Sequence, residues 1–235
     1  MLIVIDPGHG GTENKNVGYS GKYREHVGNL EYCLKLAKYI KMNGMDCILT
    51  RDEDTNVSIT ERSEVAVNNK ADVFISIHSD AGEENAKGST VFYSVNHPTD
   101  KNIAISLAKT ISESYNTKYS VRTRPSENRA GRDYYGVIDR TANDSLYKVP
   151  YVFLIERAFH SNKDEELLLL DKTVSDRSAK ALADKLKDIF NMHWGQKYWN
   201  WLNENGVEIH DTRFNDPITR AEVFALIARS RGCKL

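Results

Sequence analysis

Apolar residues recur along this chain with two different periods. Leu2 to Ile5, Cys47 to Thr50, Val73 to His78, Thr90 to Val95 and Tyr151 to Glu156 are short apolar runs or alternate apolar with polar, the signature of strands. Between them the spacing changes to three and four. Leu30, Cys33, Leu34 and Ala37 form one stripe, with Gly44 as its stop; Ile103, Leu107 and Ile111 form a second, and Ala179, Leu182, Leu186 and Ile189 a third. Ile59 to Asn69 reads as a shorter fourth helix. Strands alternating with helices predict an α/β fold, a mostly parallel sheet with helices on both faces.

The pattern lapses from Lys118 to Pro150, a polar stretch rich in arginine, asparagine and tyrosine in which only Tyr135 to Ile138 looks extended. A long irregular insert of this kind inside a compact domain is usually functional or disordered. Composition changes again after Phe190, where Trp194, Trp199 and Trp201 cluster. A catalytic domain over 1–190 and a small helical unit over 191–235 are predicted.

Composition narrows the function classes. At 235 residues the chain can bury one substantial core and carry a small appendage. Its 32 lysines and arginines nearly cancel 33 aspartates and glutamates, so no sequence-wide basic field attracts nucleic acid. No stretch has the roughly eighteen apolar residues of a membrane span. Met1 to Asp6 reads as a core strand rather than a secretory leader, which leads to the expectation of a protein made in the cytoplasm that acts after release. Cys33, Cys47 and Cys233 are too few and too scattered for a disulfide framework.

Candidate chemistry lies at the carboxyl ends of the strands, where open α/β sheets form their crevices. His9 follows the first strand in Asp6-Pro7-Gly8-His9-Gly10-Gly11, His78 ends the third run, Glu156 ends the last, and Glu25 stands before the first helix. Two histidines and a carboxylate are a common ligand set for catalytic zinc, the fourth position being left to water; a further carboxylate can take the water's proton. His9, Glu25 and His78 are the candidate ligands and Glu156 the candidate base. Each residue alone has a structural reading: a hydrogen-bonded histidine, or a carboxylate favoured at a helix start. Spacing alone leaves both readings open.

A set of blocks in order goes further. Ile3 to Gly11, Glu25 with Asn29-Leu30, Leu49-Thr50-Arg51-Asp52, Ile59 to Arg62, Phe74 to Asp80, and Glu156 with Phe159-His160-Ser161-Asn162 resemble the zinc-dependent N-acetylmuramoyl-L-alanine amidases of the amidase 3 type, known from autolysins and phage endolysins. The resemblance implies one zinc per chain held by His9, Glu25 and His78, catalysis by Glu156, and peptidoglycan as partner, the bond cut being that between N-acetylmuramic acid and L-alanine. It implies a role in lysis or wall turnover, with release through a membrane pore or on mother-cell lysis. Asp80 stands where the family more often has asparagine, and Arg157-Ala158 replaces a small or proline residue and glycine.

Asp80, His160, Arg157 and Arg132 are candidate substrate contacts. Arg122, Arg124, Arg129 and Arg132 read either as a loop that grips the carboxylates of the acidic stem peptide or as a solvated loop. Consecutive helical residues diverge by about a hundred degrees, so His26 is not expected to share an ion with Glu25; His97, His193 and His210 are expected at the surface. In the tail, Tyr198-Trp199, Asn205-Gly206-Val207 and Asp216 to Glu222 resemble a single S-layer homology repeat, implying binding of a secondary cell-wall polymer or pairing into a homodimer. Two rival readings are a zinc carboxypeptidase that trims the stem peptide and a wall-binding protein with an inactive hydrolase domain.

Overall fold

The computed structural model describes residues 1–11 and 16–190. Six strands form one sheet in the order β2-β1-β3-β6-β4-β5, where β1 is Leu2–Pro7, β2 Asp46–Leu49, β3 Val73–Asp80, β4 Ser89–Tyr93, β5 Tyr119–Arg122 and β6 Tyr151–Phe159. Neighbouring strands are parallel except β4 and β6, which run antiparallel. The sheet is mixed and mostly parallel, as expected. The tail and its S-layer resemblance lie outside the described residues.

Alternation along the strands sorts side chains to two cores. Ile3, Ile5, Val73, Ile75, Ile77, Phe153 and Ile155 face one side. There α1 (Glu25–Met42), α3 (Lys101–Tyr115) and α6 (Lys172–Phe190) supply Tyr32, Leu36, Ile40, Leu107, Ile111, Leu182 and Leu186. Val4, Phe74, Val152 and Leu154 face the other side, under α2 (Ile59–Asn68) and α4 (Gly136–Ala142). Burying each such side chain contributes about 1.5–3 kcal/mol before the entropy of ordering it is subtracted. Both faces of β1, β3 and β6 are covered, which is why these strands read as continuous apolar runs rather than alternating ones.

Local signals set the helix ends. Ser58 and Glu61 form a reciprocal capping box that starts α2. The α1 helix stops where Asn43 and Gly44 turn the chain, the Met45 amide returning to the Ile40 carbonyl at 3.2 Å.

The insert departs from expectation. Instead of an irregular stretch with an extended Tyr135–Ile138, it opens with the edge strand β5 and contains α4, of which Tyr135 is only the extended N-cap. Val137, Ile138 and Ala142 are spaced one and four apart and pack into the second core, so burial overrides the β-branched character of Val137 and Ile138. A helix not foreseen, α5 (Lys163–Leu170), follows β6 and is capped by Asn162, whose side chain accepts from the amides of Asp164 and Glu165. Among the described residues no helix is long and apolar enough to cross a membrane.

Candidate metal centre and its cavity

The sheet order places β3 beside β1 on the side opposite β2, so the chain leaving β1 and the chain leaving β3 diverge and open a crevice between them. His9 lies on the first of these exits in a left-handed conformation (φ 60°), followed by Gly10 at φ 145°. A side chain at Gly10 would meet the Thr55 carbonyl at 2.1 Å, and one at Gly8 would strike the His78 ring at 2.2 Å. Both glycines are therefore required for the loop to lie flat against the centre.

Two buried arginines hold that loop from below. Arg62 donates to the carbonyls of Pro7 and His9, both at 2.7 Å, and pairs with Asp6 at 2.5 Å. Arg51 donates to the carbonyls of Pro7, Gly8 and His26. Asp6 is further held by Thr50 and Ser76. The residues in these blocks are thus structural, orienting the His9 backbone.

Glu25 opens α1 with its side chain turned inward, and the residue is 1% exposed. Its Oε2 lies 3.2 Å from His9 Nε2 and its Oε1 3.1 Å from His78 Nδ1. Asn16 donates to Oε2 at 2.6 Å, while Asn29 and the Ser79 amide donate to Oε1 at 3.3 and 3.2 Å. Burial alone would raise the Glu25 pKa, but hydrogen bonds and charge from His78 and His9 hold it well below the ordinary carboxylate range.

One ligand atom each from His9, Glu25 and His78 can be chosen within 4.8 Å of one another. Ligands of a tetrahedral zinc at about 2.0–2.1 Å stand roughly 3.3 Å apart, close to the two distances measured from Glu25. The donor set and spacing therefore fit a zinc-sized ion. His26 is turned away, toward Asp54 at 3.5 Å, as its helical position requires.

Glu156 is the register partner of His78 across the parallel pair β3 and β6, which sets it beside the centre. It is 7% exposed, and its Oε2 is buried without a hydrogen-bond partner. Burial, then the charges of Asp80 and Glu25, push its pKa well above the ordinary value, against a lowering by Arg157.

A cavity of about 770 Å³ opens on these groups, and Asp80, His160, Arg124, Tyr134 and Tyr135 also line it. His160 is 3% exposed, accepts or donates through Nδ1 with the Ser79 hydroxyl at 3.0 Å, and stacks on Tyr23. Burial lowers its pKa and raises that of Asp80.

Two expected substrate contacts lie elsewhere. Arg157 follows Glu156 on a strand, so it points to the opposite face of the sheet. At 1% exposure it donates to Tyr23 and Asn29, both at 2.9 Å, and to Tyr115 at 3.3 Å, with its guanidinium 4.5 Å from the centre of the Tyr32 ring. It cannot reach a ligand in the cavity. Arg132 and Arg129 both pair with the buried Asp139, so they brace the insert. His97 is only partly exposed and faces Asp100 at 3.6 Å.

Asn29 was visible in sequence only as part of a block. One helical turn beyond Glu25, it bonds Glu25, the Gly8 carbonyl and Arg157 together. Asn16, Tyr23 and Asp139 carried no signal: Tyr23 acts through Arg157, far away in sequence, while Asn16 and Asp139 meet partners within ten residues across loops that have no periodic pattern.

The family profile described as N-acetylmuramoyl-L-alanine amidase matches residues 3–188. The chain is 26% identical over 228 residues to the N-acetylmuramoyl-L-alanine amidase AmiA of Salmonella typhimurium, spanning 82% of this chain and 76% of that protein. It is 31% identical over 193 residues to the probable cell wall amidase LytH of Staphylococcus aureus, spanning 80% of this chain and 58% of that protein. Among solved structures it is similar to the catalytic domain of CwlV, an N-acetylmuramoyl-L-alanine amidase from Bacillus (Paenibacillus) polymyxa, with a TM-score of 0.67 and 27% identity, covering 81% of this chain and 98% of that domain.

Proposed function

This chain belongs to the N-acetylmuramoyl-L-alanine amidase family, and we propose that it uses zinc to hydrolyse the amide between N-acetylmuramic acid and the L-alanine of the peptidoglycan stem peptide. The observation that carries the reading is the pairing of a His9, Glu25 and His78 donor cluster with the unpartnered carboxylate oxygen of Glu156 in one cavity. His9, Glu25 and His78 would hold the ion. Zinc, when bound, polarises the scissile carbonyl and lowers the pKa of the attacking water to about 7.

The chain's own groups do the rest. Glu156 would take the water's proton at Oε2 and deliver it to the departing nitrogen. Asn16, Asn29 and the Ser79 amide fix the Glu25 carboxylate, and Arg51 and Arg62 fix the His9 loop, so the centre is preorganised before substrate enters.

Mass spectrometry of a digest of purified cell walls tests the reading. An amidase leaves a new amino terminus on alanine and intact glycan strands. Release of carboxy-terminal residues from the stem peptide would show a peptidase instead. No product from zinc-loaded protein would overturn the enzymatic reading.

We further propose that residues 191–235 bind the cell wall, on the strength of their resemblance to one S-layer homology repeat. The end of the family profile at residue 188 supports reading this segment apart from the catalytic domain.

A further inference from the structure

The cavity is rich in carboxylates. Asp6, Glu25, Asp80 and Glu156 all line it, against two arginines, Arg62 and Arg124. Arg62 is occupied by Asp6 and by the carbonyls of Val57, Pro7 and His9. Arg124 differs: among the described residues no carboxylate lies within ion-pair distance of it. Its guanidinium instead stacks 3.5 Å from the centre of the Tyr134 ring and 5.8 Å from that of Tyr135.

The insert is built to hold this cation in place. The Tyr134 amide donates to the Arg124 carbonyl at 2.8 Å, and Pro125 bridges to Asp133, which aligns Arg124 with Tyr134 across a narrow turn. Asp133 is buried and accepts from Ser94 and the Val95 amide, tying the turn to the end of β4. Asp139 binds Arg129 and Arg132 from within α4. Of the arginines from Arg122 to Arg132, Arg124 alone faces the cavity. A guanidinium stacked by its face still presents its N–H edge, and that edge matches a carboxylate with two parallel hydrogen bonds.

Resting on the amidase reading above, we propose that Arg124, backed by Tyr134, is the subsite for the carboxylate on the acidic residue that follows the L-alanine of the stem peptide. Arg124 offers the peptide's carboxylate a cation that no carboxylate among the described residues already pairs with. Substrate is thereby oriented with its anion at the rim and its scissile amide toward His9 and His78. The residue after the alanine carries the first carboxylate beyond the scissile amide, so it is the anion nearest to a centre at which that amide is bound.

The test uses two synthetic muramoyl peptides that differ only in whether this carboxylate is free or amidated. They are compared on the zinc-loaded full chain by kcat/KM, and on the Glu156→Gln full chain by calorimetric Kd, each with and without Arg124→Gln. Arg124 is exposed, so the substitution does not threaten folding. The free acid should be preferred about tenfold in both measurements. In Arg124→Gln the ratio should fall to within about twofold of one, and Arg124→Lys should retain part of it. A ratio that survives Arg124→Gln, or the absence of any preference in the parent chain, overturns the proposal. Should the zinc-loaded chain cleave neither peptide, the amidase reading falls, and the calorimetric ratio still decides the subsite.

Discussion

Arg62 donates to the backbone carbonyl of His9 at 2.7 Å while the same guanidinium pairs with Asp6, so one buried cation sets both the end of β1 and the loop that carries a proposed metal ligand. Removing it would leave Asp6 as a buried charge without its cation, a loss of about 3–5 kcal/mol for pairs of this kind. Arg62→Ala should therefore lower stability by roughly that amount in urea denaturation. It should also weaken zinc binding, because the positive-φ backbone at His9 loses its support. If zinc affinity were unchanged in whatever fraction folds, the loop would hold itself and the arginine would serve the core alone.

Zinc stoichiometry is the second expectation. The full chain should take up one zinc, removable by chelators, and His9→Ala or His78→Ala should abolish stoichiometric uptake, since either leaves only two protein ligands. Elemental analysis after dialysis reads this directly. Undiminished metal in both variants would mean that the ion sits elsewhere.

Glu156→Gln should keep zinc and lose activity by a factor of about a hundred to ten thousand, the usual contribution of a general base. Its effect on stability separates the mechanism from mere packing. In the metal-free protein the folded-state pKa of Glu156 lies above its unfolded value. Below the unfolded value, near 4.3, the group is neutral in both states. As pH rises from there the unfolded chain releases the proton first, and the folded state loses stability until its own pKa is passed. The glutamine variant lacks this slope. Its Tm in the presence of chelator should match the parent near pH 4 and exceed it at pH 7 to 8. A difference independent of pH would show that Glu156 is not buried as an unsatisfied acid.

The parts of this protein that were legible in sequence are those with a local signature. Runs such as Phe74 to Ile77 and Val152 to Ile155 are apolar on both faces because both faces are covered, and a strand ending in His78 or Glu156 places that residue at the crevice by topology alone. The segments that were not legible are short or borrow their stability from elsewhere. The four residues of β5 lie at the sheet edge, and the seven of α4 are too few to show a period. Arg157 illustrates the limit for the site. Its neighbour in sequence is the proposed base, yet the pleat sends it to the other face, where Asn29 and three tyrosines receive it. Only the fold separates Arg124 from Arg129 and Arg132 in the insert, because Asp139 takes the latter two.

That position of Arg157 makes a fourth expectation. Through Asn29 it reaches Glu25 and the Gly8 carbonyl, so Arg157→Met should lower zinc affinity about 10- to 100-fold, as is typical when a partner of a ligand is lost. The unsatisfied Tyr23 hydroxyl and Asn29 carbonyl should cost about 1–3 kcal/mol each. At saturating zinc, KM for a soluble muramoyl peptide should stay within about twofold of the parent value, because the arginine touches no substrate. A selective rise in KM would instead assign it to substrate binding.

The last expectation concerns the tail. Roughly forty residues bury little area by themselves, and a single wall-binding repeat would hold weakly unless a second copy adds avidity. On the proposed reading, catalysis on a small soluble muropeptide would draw on the cavity within residues 1–190, whereas lysis of intact walls would also depend on residence at the surface. A truncation to 1–192 should therefore keep its rate on soluble muropeptides while losing binding to, and lysis of, intact walls. Light scattering on both proteins would show whether the tail also pairs the chains. Equal loss on the two substrates would mean that the tail supports the catalytic fold, and full activity on both would leave the S-layer resemblance without a function in wall binding.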